Sequence, residues 1–376
     1  MTGETPQSPA RGVSFEGRTY VIAEIGVNHD GDTDKALDLV RAVADSGADA
    51  VKVQTFTAES LVSHAAPKAA YQLVTTPTSE SQFEMLKRLE LSRPDHWVVM
   101  AEADRLGLDF LSTPYDRESL AFLVDELGVD QLKIASSDIT NLPLLLAAGR
   151  SGRRVILSTG MSTMAEIRDA LGTLGFGGTT DDSVPSRADI ESLDSDKVGA
   201  YLASHVVLMQ CTSQYPAPID EANLAAIPTL RDSFGVDVGY SDHTIGTVAA
   251  IMSVAYGSVM YERHFTLDRR APGPDHSASM EPAEFARVVA LIREAESARG
   301  TGLKEPTPSE RDNRYPMRKS LVAATTIQRG QVLREGDIGM MRPVDGDAPA
   351  RYWEWLGRPS PRGFIPGEPL VSEDAD

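Results

Sequence analysis

Short runs of β-branched and other apolar residues alternate with amphipathic segments along most of this chain. Eight such runs are predicted as β-strands, at 19–26, 48–56, 108–113, 130–136, 153–159, 205–213, 236–242 and 258–265. The segments between them place apolar residues three and four positions apart, as helices packed on one face do. Strand–helix alternation predicts a parallel α/β domain, and eight repeats favour a closed (β/α)₈ TIM barrel over an open doubly wound sheet.

The character of the sequence changes near residue 306, where a polar, proline-bearing segment begins. We predict a catalytic barrel over 1–305, a linker over 306–318 and a small β-rich domain over 319–376. That last module is marginal in size alone, so we expect it to pack on another surface. The polar connection 174–204 is predicted as a loop at the N-terminal end of the barrel, facing solvent or another subunit.

Charge and composition limit the kinds of binding partner and the cellular compartment that this chain can have. The chain has 55 Asp and Glu against 36 Lys and Arg, a net charge of −19, which argues against nucleic-acid binding and against an acidic membrane surface. No apolar stretch approaches the roughly 20 residues of a membrane span, and the first residues carry no apolar signal region. A single cysteine, Cys211, fits a reducing compartment. We therefore expect a cytoplasmic protein that binds anions only where positive charge is locally concentrated.

Lysines and hydroxyl groups recur at the ends of the predicted strands, where barrel active sites lie. Alternation puts Lys52 and Gln54 on one face of the second strand. The other strand-end candidates are Glu24, Thr113, Lys133, Ser136, Asp138 and Ser158. Lysine supplies charge and hydroxyls supply directed donors, so this set predicts a site for a small ligand with phosphate and carboxylate groups.

Two histidines emerge from adjacent strands, His243 from the seventh and His264 from the eighth. Neighbouring strands lie about 4.8 Å apart, which is close enough for the two imidazoles to share a divalent ion with open positions, Mn²⁺ or Mg²⁺. Two such histidines can equally serve as polar core residues or as substrate contacts. Alternation places Glu262 on the same side as His264, as a pocket residue, and turns Arg263 away as a structural residue. The rigid loop after the eighth strand offers Asp275 as an acid or base.

The order and spacing of several motifs resemble the sialic acid synthase family. They include IAEIGVNHDG, VKVQTF, LKIASSD, ILSTGMS, CTSQYPAP, GYSDHT and ERHFTLDRRAPGPDHSAS. The stretches RKSLVAATTIQRGQVL and MRPVDGD continue the resemblance into an antifreeze-like (SAF) domain of the β-clip type. The resemblance implies a transferase that condenses phosphoenolpyruvate with an open-chain N-acylated hexosamine, releasing phosphate and forming a nonulosonic acid.

The resemblance also implies roles for particular residues. Those matching the phosphoenolpyruvate positions are Lys52, Thr113, Lys133, Ser136, Ser158 and Ser241. His243 and His264 match the metal ligands, Gln54 and Tyr215 would line the sugar side, and Glu24 and Asp275 would handle water and protons. Arg342, in the small domain, would reach the acyl group in the barrel of a partner chain, which implies a domain-swapped homodimer.

Departures from the family pattern leave the sugar open. Asp138 stands where the family usually has glutamate, and Ser213 stands where the neuraminate enzyme has asparagine. N-acetylmannosamine and the precursors of legionaminate, pseudaminate or a specialised metabolite all remain candidates. A Schiff-base aldolase using Lys52 or Lys133 would need no metal and no phosphoenolpyruvate. A carbohydrate-binding protein without catalysis is the non-enzymatic alternative.

Overall fold

The structure is a computed structural model that describes residues 17–77, 79–180, 183–191, 196–342 and 344–372, without the side chains of 70, 71 and 74. The chain divides into two compact units, Met1–Gly300 and Thr301–Asp376. The first unit is a closed barrel of parallel strands in sequential order. Its strands are β1 (Tyr20–Gly26), β2 (Ala50–Thr55), β3 (Asp109–Pro114), β4 (Gln131–Ile134), β5 (Arg154–Ser158), β6 (Val206–Cys211), β7 (Asp237–Asp242) and β8 (Met260–His264). Each overlaps a predicted strand, and the predicted TIM barrel is confirmed.

Helices cover the outside of this barrel. They are α1 (Thr33–Asp45), α2 (Ala58–Leu61), α3 (Ala70–Thr75), α4 (Gln82–Leu89), α5 (Arg93–Arg105), α6 (Arg117–Ala121), α7 (Leu142–Arg150), α8 (Met164–Thr179), α9 (Arg187–Glu191), α10 (Asp196–His205), α11 (Ala226–Phe234), α12 (Val248–Ala255) and α13 (Pro282–Arg299). Side-chain caps explain several starts: Thr163 accepts from the backbone of Glu166 at 3.3 Å, and the Glu166 carboxylate accepts from the Thr163 backbone at 2.7 Å.

Two layers fill the barrel interior because side chains alternate along each strand. The lower layer is apolar and consists of Tyr20, Ile22, Ala50, Leu111, Ile156, Val207, Met209 and Met260. The upper layer, at the C-terminal ends of the strands, is polar and forms the site described below. The outward faces of the strands pack against the helices in a single large apolar core.

The segment 174–204, predicted as a loop, is mostly helical where it is described. Helix α8 continues to Thr179, and α9 and α10 follow it. Glycines on α8 allow α9 and α10 to approach it closely. A Cβ added to Gly172 would lie 1.8 Å from the carbonyl oxygen of Ile190, and one on Gly178 would lie 2.0 Å from the ring of Tyr201. Residues 181–182 and 192–195 of the predicted loop lie outside the described residues.

The second unit contains a small antiparallel sheet of β9 (Ser320–Ala323) and β10 (Ile338–Met341). Its apolar core is formed by Leu321, Ala323, Ile327, Leu333, Ile338, Trp355, Phe364 and Leu370, and a short helix, α15 (Tyr352–Trp355), contributes to it. The segment 306–318, predicted as a linker, instead contains helix α14 (Pro308–Met317). A capping box between Thr307 and Glu310 and a proline in its first turn account for this start. Among the described helices, none is long and apolar enough to cross a membrane.

Candidate active site

A cavity of about 480 Å³ opens at the C-terminal mouth of the barrel. All but two of the sequence-predicted site residues line it. Those that do are Glu24, Lys52, Gln54, Thr113, Lys133, Ser136, Ser158, Ser213, Tyr215, Ser241, His243, Glu262, His264 and Asp275. They come from all eight strand ends or the loops that follow, because parallel strands in a barrel deliver their C-terminal residues to one rim.

Glu262 anchors one half of the cavity floor. Lys133 donates to the Glu262 carboxylate at 3.0 Å and to the hydroxyl of Ser158 at 2.8 Å. Ser241 donates to the same Glu262 oxygen at 3.0 Å. All four side chains are buried. Although burial opposes ionisation, the ammonium groups of Lys133 and Lys52 hold the pKa of Glu262 at about 2.

Lys52 and Glu24 form the other half of the floor. Their side chains make a buried ion pair, and Lys52 also donates to the hydroxyl of Thr113 at 3.3 Å. Gln54 donates to the second oxygen of Glu24 at 3.2 Å. Burial raises the pKa of Glu24 to about 7 against the opposing charge of Lys52, and the negative charge of Glu262 adds to the rise. Glu24 can therefore accept or release a proton near neutral pH.

His243 and His264 face one another above this floor, with ring centroids 5.5 Å apart. The Nδ1 of His243 donates to the backbone carbonyl of Thr212 at 2.8 Å, so that in the neutral imidazole Nε2 is the unprotonated nitrogen. The Nδ1 of His264 is buried without a hydrogen-bond partner. Tyr215 packs its ring against both imidazoles, at centroid distances of 4.1 and 5.6 Å.

Asp275 completes the histidine side of the cavity. Its carboxylate lies 3.7 Å from the Nδ1 of His264, and burial raises the pKa of Asp275 to about 6. Gly26, at the end of β1, lies beside this group with φ at 49°. A Cβ there would lie 2.8 Å from the Glu24 carboxylate, so a larger residue would have to displace that side chain, and the positive φ also favours glycine.

Hydroxyl groups form the rim opposite Glu24. The hydroxyl of Ser136 accepts from the backbone N–H of Gly160 at 3.0 Å. A Cβ on Gly160 would lie 2.2 Å from the hydroxyl oxygen of Ser213 and 2.9 Å from that of Ser136. The absence of a side chain at Gly160 therefore allows these two serines to approach each other at the rim.

Two predicted residues do not line the cavity. Asp138 turns toward its own segment, accepting from Asn141 at 3.0 Å and from the Ser137 hydroxyl at 3.1 Å. Arg342 belongs to the second unit, where its exposed guanidinium donates to the carbonyl of Met317 at 3.2 Å. Asp138, which stands where the family usually has glutamate, therefore uses its carboxylate in local turn hydrogen bonds.

The sequence did not reveal an apolar wall of the cavity. This wall is formed by Val27, Leu61, Val62, Ala69, Met85 and Leu86, with Gln72 and Gln82 beside them. Most of these residues lie in the β2–β3 connection, whose short helices carry no motif. Cys211 was also missed as a lining residue, although alternation along β6 places it on the same face as Met209.

A closed barrel whose mouth gathers two buried lysines, two acids with raised pKa values and a pair of histidines defines a TIM-barrel enzyme acting on a small anionic substrate. Residues 39–304 match the model of the NeuB family, and residues 318–375 match the SAF domain. The chain belongs to the NeuB family.

Individual proteins agree with this assignment. The chain is 41% identical to N,N′-diacetyllegionaminic acid synthase of Campylobacter jejuni, over 95% of this chain and 99% of the relative. It is 31% identical to mouse N-acetylneuraminate-9-phosphate synthase, over 89% and 86% of the two chains. Among solved structures, N-acetylneuraminic acid synthetase of Leptospira borgpetersenii superposes with a TM-score of 0.64 at 31% identity, covering 78% of this chain and 90% of that one.

The resemblance to sialic acid synthases predicted from the sequence is thus confirmed. The chain is a synthase of the nonulosonic acid type, an enzyme that condenses phosphoenolpyruvate with a sugar.

Proposed function

We propose that this enzyme joins phosphoenolpyruvate to an open-chain hexose bearing two acylamino groups and no phosphate, forming a nonulosonic acid of the legionaminate type. The observation that carries this proposal is the two-sided cavity, with a charged floor at Lys52 and Lys133 and an apolar wall at Leu61 and Leu86. The 41% identity to a synthase of a diacetylated acid supports the choice of acceptor.

The floor suits phosphoenolpyruvate. Lys52 and Lys133 would neutralise its carboxylate and phosphate, while the hydroxyls of Thr113, Ser158 and Ser241 supply directed donors. Each lysine already contacts one of these hydroxyls, at 3.3 Å for Thr113 and 2.8 Å for Ser158. The charged groups are thus oriented before the substrate arrives, which lowers the cost of binding.

The histidine pair fits a divalent metal. The carbonyl of Thr212 fixes the tautomer of His243 in the way that outer partners orient metal-binding imidazoles, and the buried Nδ1 of His264 has no hydrogen-bond partner. In the part of the chain that the structure describes, no third His, Cys, Asp or Glu completes a cluster, so remaining positions would fall to water or substrate. When bound, Mn²⁺ or Mg²⁺ would act as a Lewis acid on the sugar aldehyde.

The proposed reaction requires several proton transfers, which side chains of this chain would carry out. C3 of phosphoenolpyruvate attacks the aldehyde carbon, whose oxygen takes a proton and becomes a hydroxyl. Water adds at C2 and loses one proton, which balances the proton taken up by the aldehyde oxygen. The C2–O bond to phosphate then breaks, a C2 ketone forms, and the second proton of the water leaves with phosphate. Glu24 and Asp275 would transfer these protons, and their pKa values of about 7 and 6 support that role. Glu262 stays ionised between the lysines and holds them in place.

The residues on the cavity walls favour a sugar acceptor that carries no charge. Among the described residues lining the cavity, the only lysines or arginines are Lys52 and Lys133, and both already pair with carboxylates. A second phosphate, on the sugar, would find no further lysine or arginine on the described walls of its own barrel. Leu61, Val62 and Leu86 would instead contact acyl methyl groups or a deoxy carbon, while Ser213 and Gln54 would meet hydroxyls.

The second unit is proposed to contribute a residue to the active site of a partner chain. Its exposed Arg342 would bind an acyl oxygen of the acceptor in a partner chain, which makes a domain-swapped homodimer the proposed assembly. The cytoplasm is the proposed compartment, since it supplies phosphoenolpyruvate.

The metal and the chemistry can be tested together. Phosphate release from phosphoenolpyruvate should require an aldose, stop with chelator and return with Mn²⁺ or Mg²⁺. Full turnover in metal-stripped protein would refute the role of His243 and His264. Borohydride treatment with a carbonyl substrate should leave the chain unmodified, because a covalent adduct at Lys52 or Lys133 would instead identify a Schiff-base aldolase.

A further inference from the structure

A buried ion pair lies directly behind the histidine pair, on the faces of β7 and β8 that point away from the cavity. Asp242 precedes His243 in the sequence and Arg263 precedes His264, and Asp242 and Arg263 are paired in register across the two strands. Their side chains are 0% and 3% exposed and lie 3.3 Å apart. Each member of this pair is therefore one peptide bond from a proposed metal ligand.

The Asp242 carboxylate accepts hydrogen bonds from several neighbouring groups. The hydroxyls of Tyr240 and Tyr261 donate to its carboxylate at 3.2 and 2.8 Å. The backbone N–H and the hydroxyl of Thr244 each donate at 2.8 Å, and Arg263 adds its charge. A carboxylate with this many donors is held in one orientation, and it fixes the residues on both sides of His243.

Arg263 ties the same region to the loop after β8. Its guanidinium donates to the backbone carbonyls of Asp242 at 3.2 Å and of Ala278 at 3.3 Å, and also to that of Thr244. Five N–H groups in a rigid plane make arginine suited to bridging several carbonyls at once. The ends of β7 and β8 and the following loop are thereby joined through one buried side chain.

The backbone of the two histidines is held from the other side as well. The carbonyl of His243 accepts from the N–H of Ala217 at 2.8 Å, and that of His264 accepts from the N–H of Met280 at 2.8 Å. Movement of the backbone at either histidine is thus opposed by hydrogen bonds on both flanks. The ring separation of 5.5 Å is a consequence of where these two strand ends are fixed.

We propose that Asp242, Arg263, Tyr240 and Tyr261 form a positioning network that sets the separation and orientation of His243 and His264 for one shared divalent metal. This inference rests on the metal role proposed above. The network residues touch neither substrate nor metal and act through the two histidines. Loss of such outer partners typically weakens metal binding by about 10- to 100-fold.

The test compares two conservative variants, each removing one buried tyrosine hydroxyl. Tyr261→Phe removes a donor to Asp242, whereas Tyr20→Phe removes a donor to Asp109, 2.5 Å away, at the opposite end of the barrel. Mn²⁺ binding to metal-stripped protein, followed by electron paramagnetic resonance, should weaken about tenfold for Tyr261→Phe. Tyr20→Phe should bind Mn²⁺ as the unaltered protein does.

Asp242→Asn extends the test, with an expected loss of about 100-fold in Mn²⁺ affinity. If this variant fails to fold, Tyr240→Phe takes its place, because the remaining donors to Asp242 stay. Equal Mn²⁺ affinity in Tyr261→Phe and in the unaltered protein would overturn the inference, as would equal weakening in Tyr20→Phe. An unaltered protein that binds neither Mn²⁺ nor Mg²⁺ would refute the metal role itself and the inference with it.

Discussion

Charge balance among five side chains decides what the cavity can bind. Lys52 and Lys133 are buried against Glu24 and Glu262, so the floor is close to neutral when all four are ionised. Asp275, with a pKa of about 6, adds negative charge at neutral pH. An anion as highly charged as phosphoenolpyruvate needs further positive charge nearby, which gives the proposed divalent metal an electrostatic role beyond polarising the aldehyde.

Replacing Lys133 tests the floor. Lys133→Met should leave the buried Glu262 carboxylate without its nearer cation, with only Lys52 at 3.9 Å, destabilising the fold by up to about 3–5 kcal/mol. It should also remove a cation from the phosphoenolpyruvate subsite. Calorimetric binding of phosphoenolpyruvate should fall at least tenfold, the equivalent of about 1.4 kcal/mol.

A paired variant separates the two effects. Lys133→Met combined with Glu262→Gln removes both charges, so most of the lost thermal stability should return. Phosphoenolpyruvate binding should not return, because the cation is still missing. Recovery of binding in the double variant would contradict the proposed role of Lys133.

Much of the floor could be predicted from alternation, because a two-residue period places Lys52, Lys133 and Glu262 inside any barrel built from these strands. The pairing of each lysine with one carboxylate could not be, since it depends on the register and tilt of neighbouring strands. The positions of Met85 and Gln72 in the cavity could not be predicted from the sequence either. These residues reach the cavity through short helices whose positions are set by packing against the barrel.

At the scale of single elements, the glycine-bearing face of α8 explains how α9 and α10 pack against it. Gly172→Ala would place a methyl carbon 1.8 Å from the carbonyl oxygen of Ile190, and the backbone must move to relieve this contact. We expect a loss of about 1–3 kcal/mol in the free energy of unfolding, measured by urea titration.

Gly199 provides the matched helical control. It is exposed in α10, and a Cβ there would meet nothing within 4 Å. Gly199→Ala should therefore stabilise the protein by about 0.5–1 kcal/mol. If both variants behaved alike, close packing of α9 on α8 would not be the reason for the glycine at 172.

Helix α5 contributes a buried titratable group away from the site. The Nδ1 of His96 donates to the carbonyl of Ser92 at 2.9 Å, and its Nε2 accepts from the Thr55 hydroxyl at 2.8 Å. Burial lowers the pKa of His96 below its usual 6.5. The unfolded chain then binds the proton more readily, so the contribution of His96 to stability is present above pH 6.5 and is lost as the pH falls.

His96→Gln should show this directly. The variant should be less stable than the unaltered protein at pH 7.5, and the gap should narrow as the pH falls below about 6.5. Urea unfolding at several pH values measures the gap. A gap that stays constant or widens on acidification would contradict the buried neutral state of His96.

Strands were predictable as elements because each combines a β-rich run with flanking turn residues, and their sum defined the barrel. The polar composition of 174–204 and 306–318 concealed helices, because neither segment has a long apolar stripe. In 174–204 the helices form by packing against α8, and in 306–318 the helix start depends on its cap. The capping box of Thr307 and Glu310 at the start of α14, followed by a proline in the first turn, is a local pattern that would have signalled a helix in the second segment.

For the whole molecule, the central question is whether each active site uses two chains. Coexpression of a His243→Ala chain with an Arg342→Ala chain addresses it. If Arg342 acts in the partner's barrel, a mixed dimer has one complete site, and about one quarter of normal activity should return in a random mixture. If Arg342 acts within its own chain, no mixed site is complete and activity should stay near that of the separate variants.

Acceptor choice tests the account most directly. Nine-carbon acid and phosphate should be quantified in the same reactions by mass spectrometry, with phosphoenolpyruvate and a panel of aldoses. The panel contains a 6-deoxy diacetamido hexose, N-acetylmannosamine, its 6-phosphate and an unacylated hexosamine. We predict equal amounts of acid and phosphate, with the diacetamido sugar used most efficiently and the 6-phosphate least. Preference for the 6-phosphate, or phosphate release without a nine-carbon product, would contradict the account.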